Sequence, residues 1–154
     1  IFRREGSGEY TLLADVAGNP AASSISYTDG KTKGAMRYAY RIYAYKDDAG
    51  THIDGNSSAG KACFKLSVPG GVKVKRLSSK SIRVSFKKVK RARYYQVQYS
   101  TSKNFSGAKI VNISGNIKTI KNLKKGKKYY VRVRACMKSS SITYRSAWSA
   151  VSRG

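Results

Sequence analysis

Apolar and polar residues alternate with a period of two through most of this 154-residue chain. From 129 to 135, Tyr129, Val131, Val133 and Ala135 fall on one side of an extended strand, and Tyr130, Arg132 and Arg134 on the other. Ile82, Val84 and Phe86 alternate with Arg83, Ser85 and Lys87, and Tyr95, Val97 and Tyr99 alternate with Tyr94, Gln96 and Gln98. Strands are expected over 72–77, 81–89, 93–100, 109–114, 117–122, 128–137 and 144–152. Upstream, the pattern predicts a strand ending at Glu5, a turn at Gly6–Gly8, and a strand over 10–16. A loop over 18–22, a short strand over 24–27, a strand over 38–45, a polar loop over 46–60 turning at Asp54-Gly55, and a closing strand over 61–66 follow. No helical segment of useful length is found. Many short, evenly spaced strands with one polar face each indicate an all-β fold of antiparallel sandwiches.

The pattern repeats. Tyr129 opens its strand just after the turn Leu123-Lys-Lys-Gly126, and Tyr38 opens a similar strand after Gly34. A tyrosine so placed is expected to form a tyrosine corner, its hydroxyl bonded back to the chain upstream. The two tyrosines stand 91 residues apart, which suits one sandwich of about 100 residues per repeat. Inner positions of the first copy are expected to be Tyr38, Tyr40 and Ile42, and outer ones Ala39, Arg41 and Tyr43.

Charge divides the chain at the same place. Residues 1–66 hold nine Lys/Arg against all seven acids, whereas residues 67–154 hold 23 Lys/Arg and no acid. A domain boundary is therefore expected at 66/67, across the linker Ser67-Val-Pro-Gly-Gly71. The second domain has no carboxylate side chain for an internal ion pair, and its field attracts polyanions. One cysteine falls in each domain, Cys63 and Cys136, so no disulfide framework is indicated.

Val68-Pro-Gly-Gly-Val-Lys-Val74, Ile82-x-Val-x-Phe86, Tyr95-x-Val-x-Tyr99 and Leu123-x-x-Gly-x-x-Tyr-x-Val-x-Val-x-Ala135 together resemble a fibronectin type III domain, and Ala147-Trp148-Ser149 fits its last strand. The resemblance covers 67–154. It implies an immunoglobulin-like sandwich, with Phe86 where the family usually places a tryptophan. The first unit is similar only from the family's third strand onward. Aligning Ile1 with Val97 leaves it without counterparts to the 28 residues from Pro69 to Gln96. The expected organisation is thus the C-terminal part of one such domain (1–66) followed by a complete one (67–154). A lone sheet would expose an apolar face and unpaired edges. Three explanations are open: a fragment, strands supplied in trans by another copy (the one route to an oligomer), or packing on the second unit. The fragment is the favoured one.

Catalysis is not expected. The second domain offers no carboxylate or histidine side chain for acid–base or triad chemistry. His52, with Asp47, Asp48 and Asp54, matches neither calcium-loop order nor a zinc set, so no metal or cofactor is assigned. The candidate binding face is the outer row Tyr94, Gln96, Gln98, Tyr130, Arg132 and Arg134, with the turn lysines Lys124, Lys125, Lys127 and Lys128 beside it. Arg and Tyr on a flat sheet can hold anionic polymers by ion pairing and stacking. Against this stands the plain reading that lysines keep a stalk soluble and blunt its edges. The resemblance is to tandem copies on secreted and surface proteins of Gram-positive bacteria. It implies an extracellular spacer or adhesion module meeting anionic wall polymers, host glycans or host proteins. An accessory module of a secreted carbohydrate-active or other enzyme is the alternative. Nucleic acid is disfavoured, because no groove-reading helix or stacking motif is present. No apolar run is long enough to span a membrane.

Overall fold

Among the described residues, fourteen short strands form in chain order and there is no helix. The structure is a computed structural model that describes residues 1–19, 21–139 and 141–154. Pro20, in the loop expected over 18–22, lies outside the described residues. The chain divides into two units, Ile1–Lys65 and Leu66–Gly154.

In the first unit β1 (Phe2–Glu5), β2 (Thr11–Leu12), β3 (Met36–Arg41) and β6 (Lys61–Lys65) make one antiparallel sheet in the order β2-β1-β3-β6. Tyr38 is fully buried, and its hydroxyl accepts the Lys33 N–H at 2.6 Å. The inner face carries Tyr38 and Tyr40, their rings stacked, but it is not wholly apolar. Arg3 pairs with Asp29 and Glu5, and Asp29 also accepts the Tyr40 hydroxyl at 2.9 Å. Burial opposes the Asp29 charge, but its hydrogen bonds to Arg3 and Tyr40 prevail and hold the carboxyl below the usual range. A polar network thus lines the face that a complete sandwich would make apolar. Ile42 is 56 % exposed rather than inward, because β3 ends at Arg41. Ala39, expected outside, is buried, being small and set at the sheet centre between Arg4 and Ala62.

Two further expectations fail here. No strand forms over 24–27, and the strand expected over 10–16 shrinks to two residues. Conversely, the supposed polar loop contains the hairpin β4 (Tyr45–Asp48) and β5 (Thr51–Asp54). Its turn lies at Ala49-Gly50, both at positive φ (48° and 83°), not at Asp54-Gly55. Positive φ at both central residues gives the turn the twist of its flanking strands.

The second unit is a two-layer sandwich. One sheet joins β7 (Lys73–Ser78), β8 (Ser81–Ser85) and β11 (Ile117–Ile120) in the order β11-β8-β7. The other runs β10 (Lys109–Ile113), β9 (Tyr94–Ser100), β12 (Tyr130–Ser139), β13 (Ile142–Arg145), and β14 (Ser152–Arg153) also pairs with β12. Ile82, Val84 and Phe86 from one sheet and Tyr95, Val97, Val131 and Val133 from the other are buried together. Phe86 is buried and meets Tyr95 edge-on at 4.8 Å between ring centroids, so a phenyl ring fills this core position. The Tyr129 hydroxyl accepts the Lys124 N–H at 3.0 Å, closing the turn before β12. On the edge strand β11, Lys118 is half-buried and shares its cross-strand row with the buried Val84 and with Val74.

The strand expected over 144–152 is interrupted. Between β13 and β14 the ladder is replaced at two points by serine hydroxyls: Ser146 Oγ accepts the Ala135 N–H and Ser149 Oγ the Val133 N–H, each at 3.0 Å. Their own N–H groups donate to the Ala135 and Val133 carbonyls. This irregular segment carries Trp148 across β12.

Candidate functional site

Antiparallel pairing places β9 and β12 so that Gln98 faces Arg132 and Gln96 faces Arg134. Residues opposed in this way lie on the same side of a sheet, so the outer row becomes a set of contacts. Arg132 Nε donates to Gln98 Oε1 at 2.7 Å, and Arg134 Nε to Gln96 Oε1 at 2.8 Å. Tyr130 is opposite Ser100 on β9 and Arg153 on β14, and Tyr94 is opposite Cys136.

Two rings that the pattern did not assign to this face close over it. Trp148 lies 4.3 Å from the Arg134 guanidinium carbon and 4.9 Å from that of Arg132. Phe105 lies 4.1 Å from Arg132 on a turn where it adopts φ +62°, a strained conformation for a bulky residue. The turn is held by the Phe105 N–H bonding to the Ser102 carbonyl and by Asn104, whose side chain accepts the Ser106 N–H. The ring's burial against Arg132 offsets the strain. The guanidiniums are thereby engaged at Nε by amides and on their faces by rings. Their Nη edges are what a ligand could reach.

The turn lysines form a separate group. Lys124, Lys125, Lys127 and Lys128 are exposed in the connection from β11 to β12, with Gly126 at φ +70°. Arg76 of β7 reaches the same end and donates to the carbonyls of Lys127 and Gly154 at 2.9 and 3.0 Å. Lys80 joins it through the Leu123 N–H, which donates to the Lys80 carbonyl. Sequence spacing shows neither, since both are contacts across more than 40 residues.

Cys136 is fully buried on β12 beside Tyr94. Burial pushes its thiol up, against the opposing pull of Arg134, the Tyr94 hydrogen bond and Arg145. Cys63 is exposed; both thiols are free. No group of three or more His, Cys, Asp or Glu able to hold a metal occurs among the described residues.

In the first unit the β4–β5 hairpin gathers His52 between Asp47 (Nδ1, 2.6 Å) and Asp54 (Nε2, 3.3 Å), with the Tyr45 ring 4.8 Å away. The hydrogen bond to Asp47 is the main cause that raises the His52 pKa above its ordinary value. Protonated His52 therefore supports the hairpin fully below an unfolded pKa of about 6.5, and the support is lost as pH rises through the higher folded value. In an NMR titration of the His52 ring protons, the midpoint is expected above that of a model peptide. Asp47→Asn is expected to bring it down, and an unchanged midpoint would contradict the pairing.

No helix among the described residues is long and apolar enough to cross a membrane. In comparisons with known proteins, the family model described as "Fibronectin type III domain" matches residues 67–151. No curated protein matches the chain. Among solved structures, the chicken CNTN1 FN1–FN3 domains align with a TM-score of 0.50 at 24% identity, over 82% of this chain and 45% of that one. This chain thus spans under half of that structure's length, and the likeness is one of fold. An FN3 domain of human collagen XX aligns at 17% identity with a TM-score of 0.46, over 63% of this chain and 100% of that chain.

Proposed function

The chain belongs to the fibronectin type III family, and from that premise we propose that it is a non-catalytic module of a bacterial surface or secreted protein whose second domain attracts anionic polymers. Domains of this family are commonly extracellular spacers or binding modules. The observation that carries the finer reading is the charge of residues 67–154, 23 Lys/Arg with no acid, displayed on a folded sandwich. Every ion pair found among the described residues lies in the first unit. The second domain's cations are therefore not neutralised by its own side chains, and a partner carrying phosphate, sulfate or carboxylate meets an uncompensated field.

The extended sheet faces favour polymer over a small substrate. The described pocket by Tyr94, Asn112, Ile113 and Ser114 is shallow and open and brings together no acid–base pair. Wall polymers and host glycans share the required chemistry. The test is saturable binding of the full chain to immobilised anionic polymers across a salt series. Retention that persists above physiological ionic strength, about 0.15 M, supports a binding module. Elution at or below that salt overturns it and leaves a soluble spacer.

A further inference from the structure

The second domain has another basic surface, on the opposite sheet, and its cations are unengaged. Register across β7, β8 and β11 sets Lys73 opposite Ser85, which is opposite Ile117; the next row outward-facing on the same side is Lys75, Arg83 and Thr119. Lys73, Lys75 and Arg83 are exposed, whereas Val74, Ile82 and Val84 between them face the core. Among the described residues, no hydrogen bond, ion pair or ring contact holds any of these three cationic side chains. Arg132 and Arg134, by contrast, are tied to glutamines and stacked on rings.

Lys75 and Arg83 are directly opposed like charges, an arrangement that destabilises an antiparallel pair. No carboxylate side chain anywhere in residues 67–154 relieves it. An oxyanion with two free oxygens would bridge the pair, one oxygen to each cation, and convert a repulsion into two charge-assisted contacts. Lys73 stands two residues along the same strand, about 6–7 Å away. A second anion at that spacing would be met in line with the first. Ser85 and Thr119 place a hydroxyl in each of the two rows.

We propose that the outer face of the β11-β8-β7 sheet is a binding site for a linear polyol phosphate, its backbone phosphates on Lys75–Arg83 and Lys73 and its hydroxyls on Ser85 and Thr119. Charge complementarity selects the class of occupant, and the narrowness of the cationic track selects this one. A phosphodiester chain carries its charge in its own contour, whereas a sulfated glycan carries pendant charges to several sides. The proposal rests on the reading that the second domain attracts polyanions, and binding is coupled to stability because the ligand removes the Lys75–Arg83 repulsion.

The experiment uses the full chain and purified poly(glycerol phosphate), with heparin and a single-stranded DNA oligonucleotide as competitors. Arg83→Glu reverses the central charge and should raise the melting temperature of the second domain, since it pairs with Lys75. The same variant should bind poly(glycerol phosphate) at least tenfold more weakly, so the loss is not one of folding. The double variant Lys103→Ser with Lys109→Ser removes the same formal charge at exposed positions outside both candidate faces and should lose no more than about threefold. With two phosphates neutralised, the slope of log affinity against log salt should be roughly −1.4. Equal losses in the two variants would overturn the site while leaving the polyanion reading intact. Tighter, Arg83-dependent binding of heparin or of the oligonucleotide would overturn the polyol phosphate. No binding of any polymer by the unaltered chain at low salt would overturn both the site and the reading beneath it.

Discussion

Replacing Phe86 with alanine is expected to destabilise the second domain by about 3–5 kcal/mol. The ring is 4 % exposed and meets Tyr95 of β9 edge-on, joining the two layers. Its removal forfeits the burial of a large apolar group and leaves a cavity between two hydrogen-bonded layers that cannot collapse freely. For a unit of this size the loss corresponds to a fall of roughly 12 to 40 °C in melting temperature. A domain that repels itself has little margin to absorb that. The measurement is urea unfolding followed by the fluorescence of Trp148, the single tryptophan of the chain, which reports on this domain alone. A change under 1 kcal/mol would show that the core does not depend on this ring.

The second large effect belongs to Trp148 itself. Trp148→Ala should cost about 2–3 kcal/mol, below the full value for a buried aromatic because the ring is half-exposed. Two guanidinium contacts, about 0.5–1 kcal/mol each, are part of that sum. Circular dichroism must follow the unfolding, since the fluorophore is gone. The informative comparison is with Arg132→Lys, which keeps the charge but loses the planar stack and the bond to Gln98. If the stack of Trp148 on Arg132 and Arg134 serves mainly to pin the irregular segment after β13 onto β12, both variants lose stability while polymer retention changes less than about threefold. A large loss of retention with stability unchanged would instead assign these arginines to the ligand.

The contrast between the two domains shows what residue pattern conveys. In the second, the alternation of Ile82, Val84 and Phe86, and of Tyr129, Val131 and Val133, marks the buried face, because burial there depends on strand parity alone. The stacking of Trp148 was not legible. It depends on a segment whose ladder is completed by Ser146 and Ser149 hydroxyls, and such side-chain substitution has no period. The closure of the turn end by Arg76 was hidden for a related reason, as it joins residues far apart in the chain. In the first domain, parity misleads. Arg3 and Asp29 occupy the side that apolar residues would take, and β3 stops before Ile42 can turn inward. The hairpin has no sequence signature, because its turn is Ala49-Gly50, without the Asn or Asp that usually signals positive φ. The candidate face was readable as a row, but not the fact that its guanidiniums are already occupied.

Lys118 gives the free edge of β11 a further property. Ile117 on that strand points outward and is 60 % exposed, yet the next residue points inward and is an ammonium in the row of Val84. A foreign strand adding to this edge would trap that ammonium beside the core, and strands from a like domain bring no carboxylate side chain to meet it. The inward ammonium is therefore expected to oppose edge-to-edge pairing of crowded copies at β11. Lys118→Val is expected to remove that protection, with a more stable monomer that precipitates on concentration.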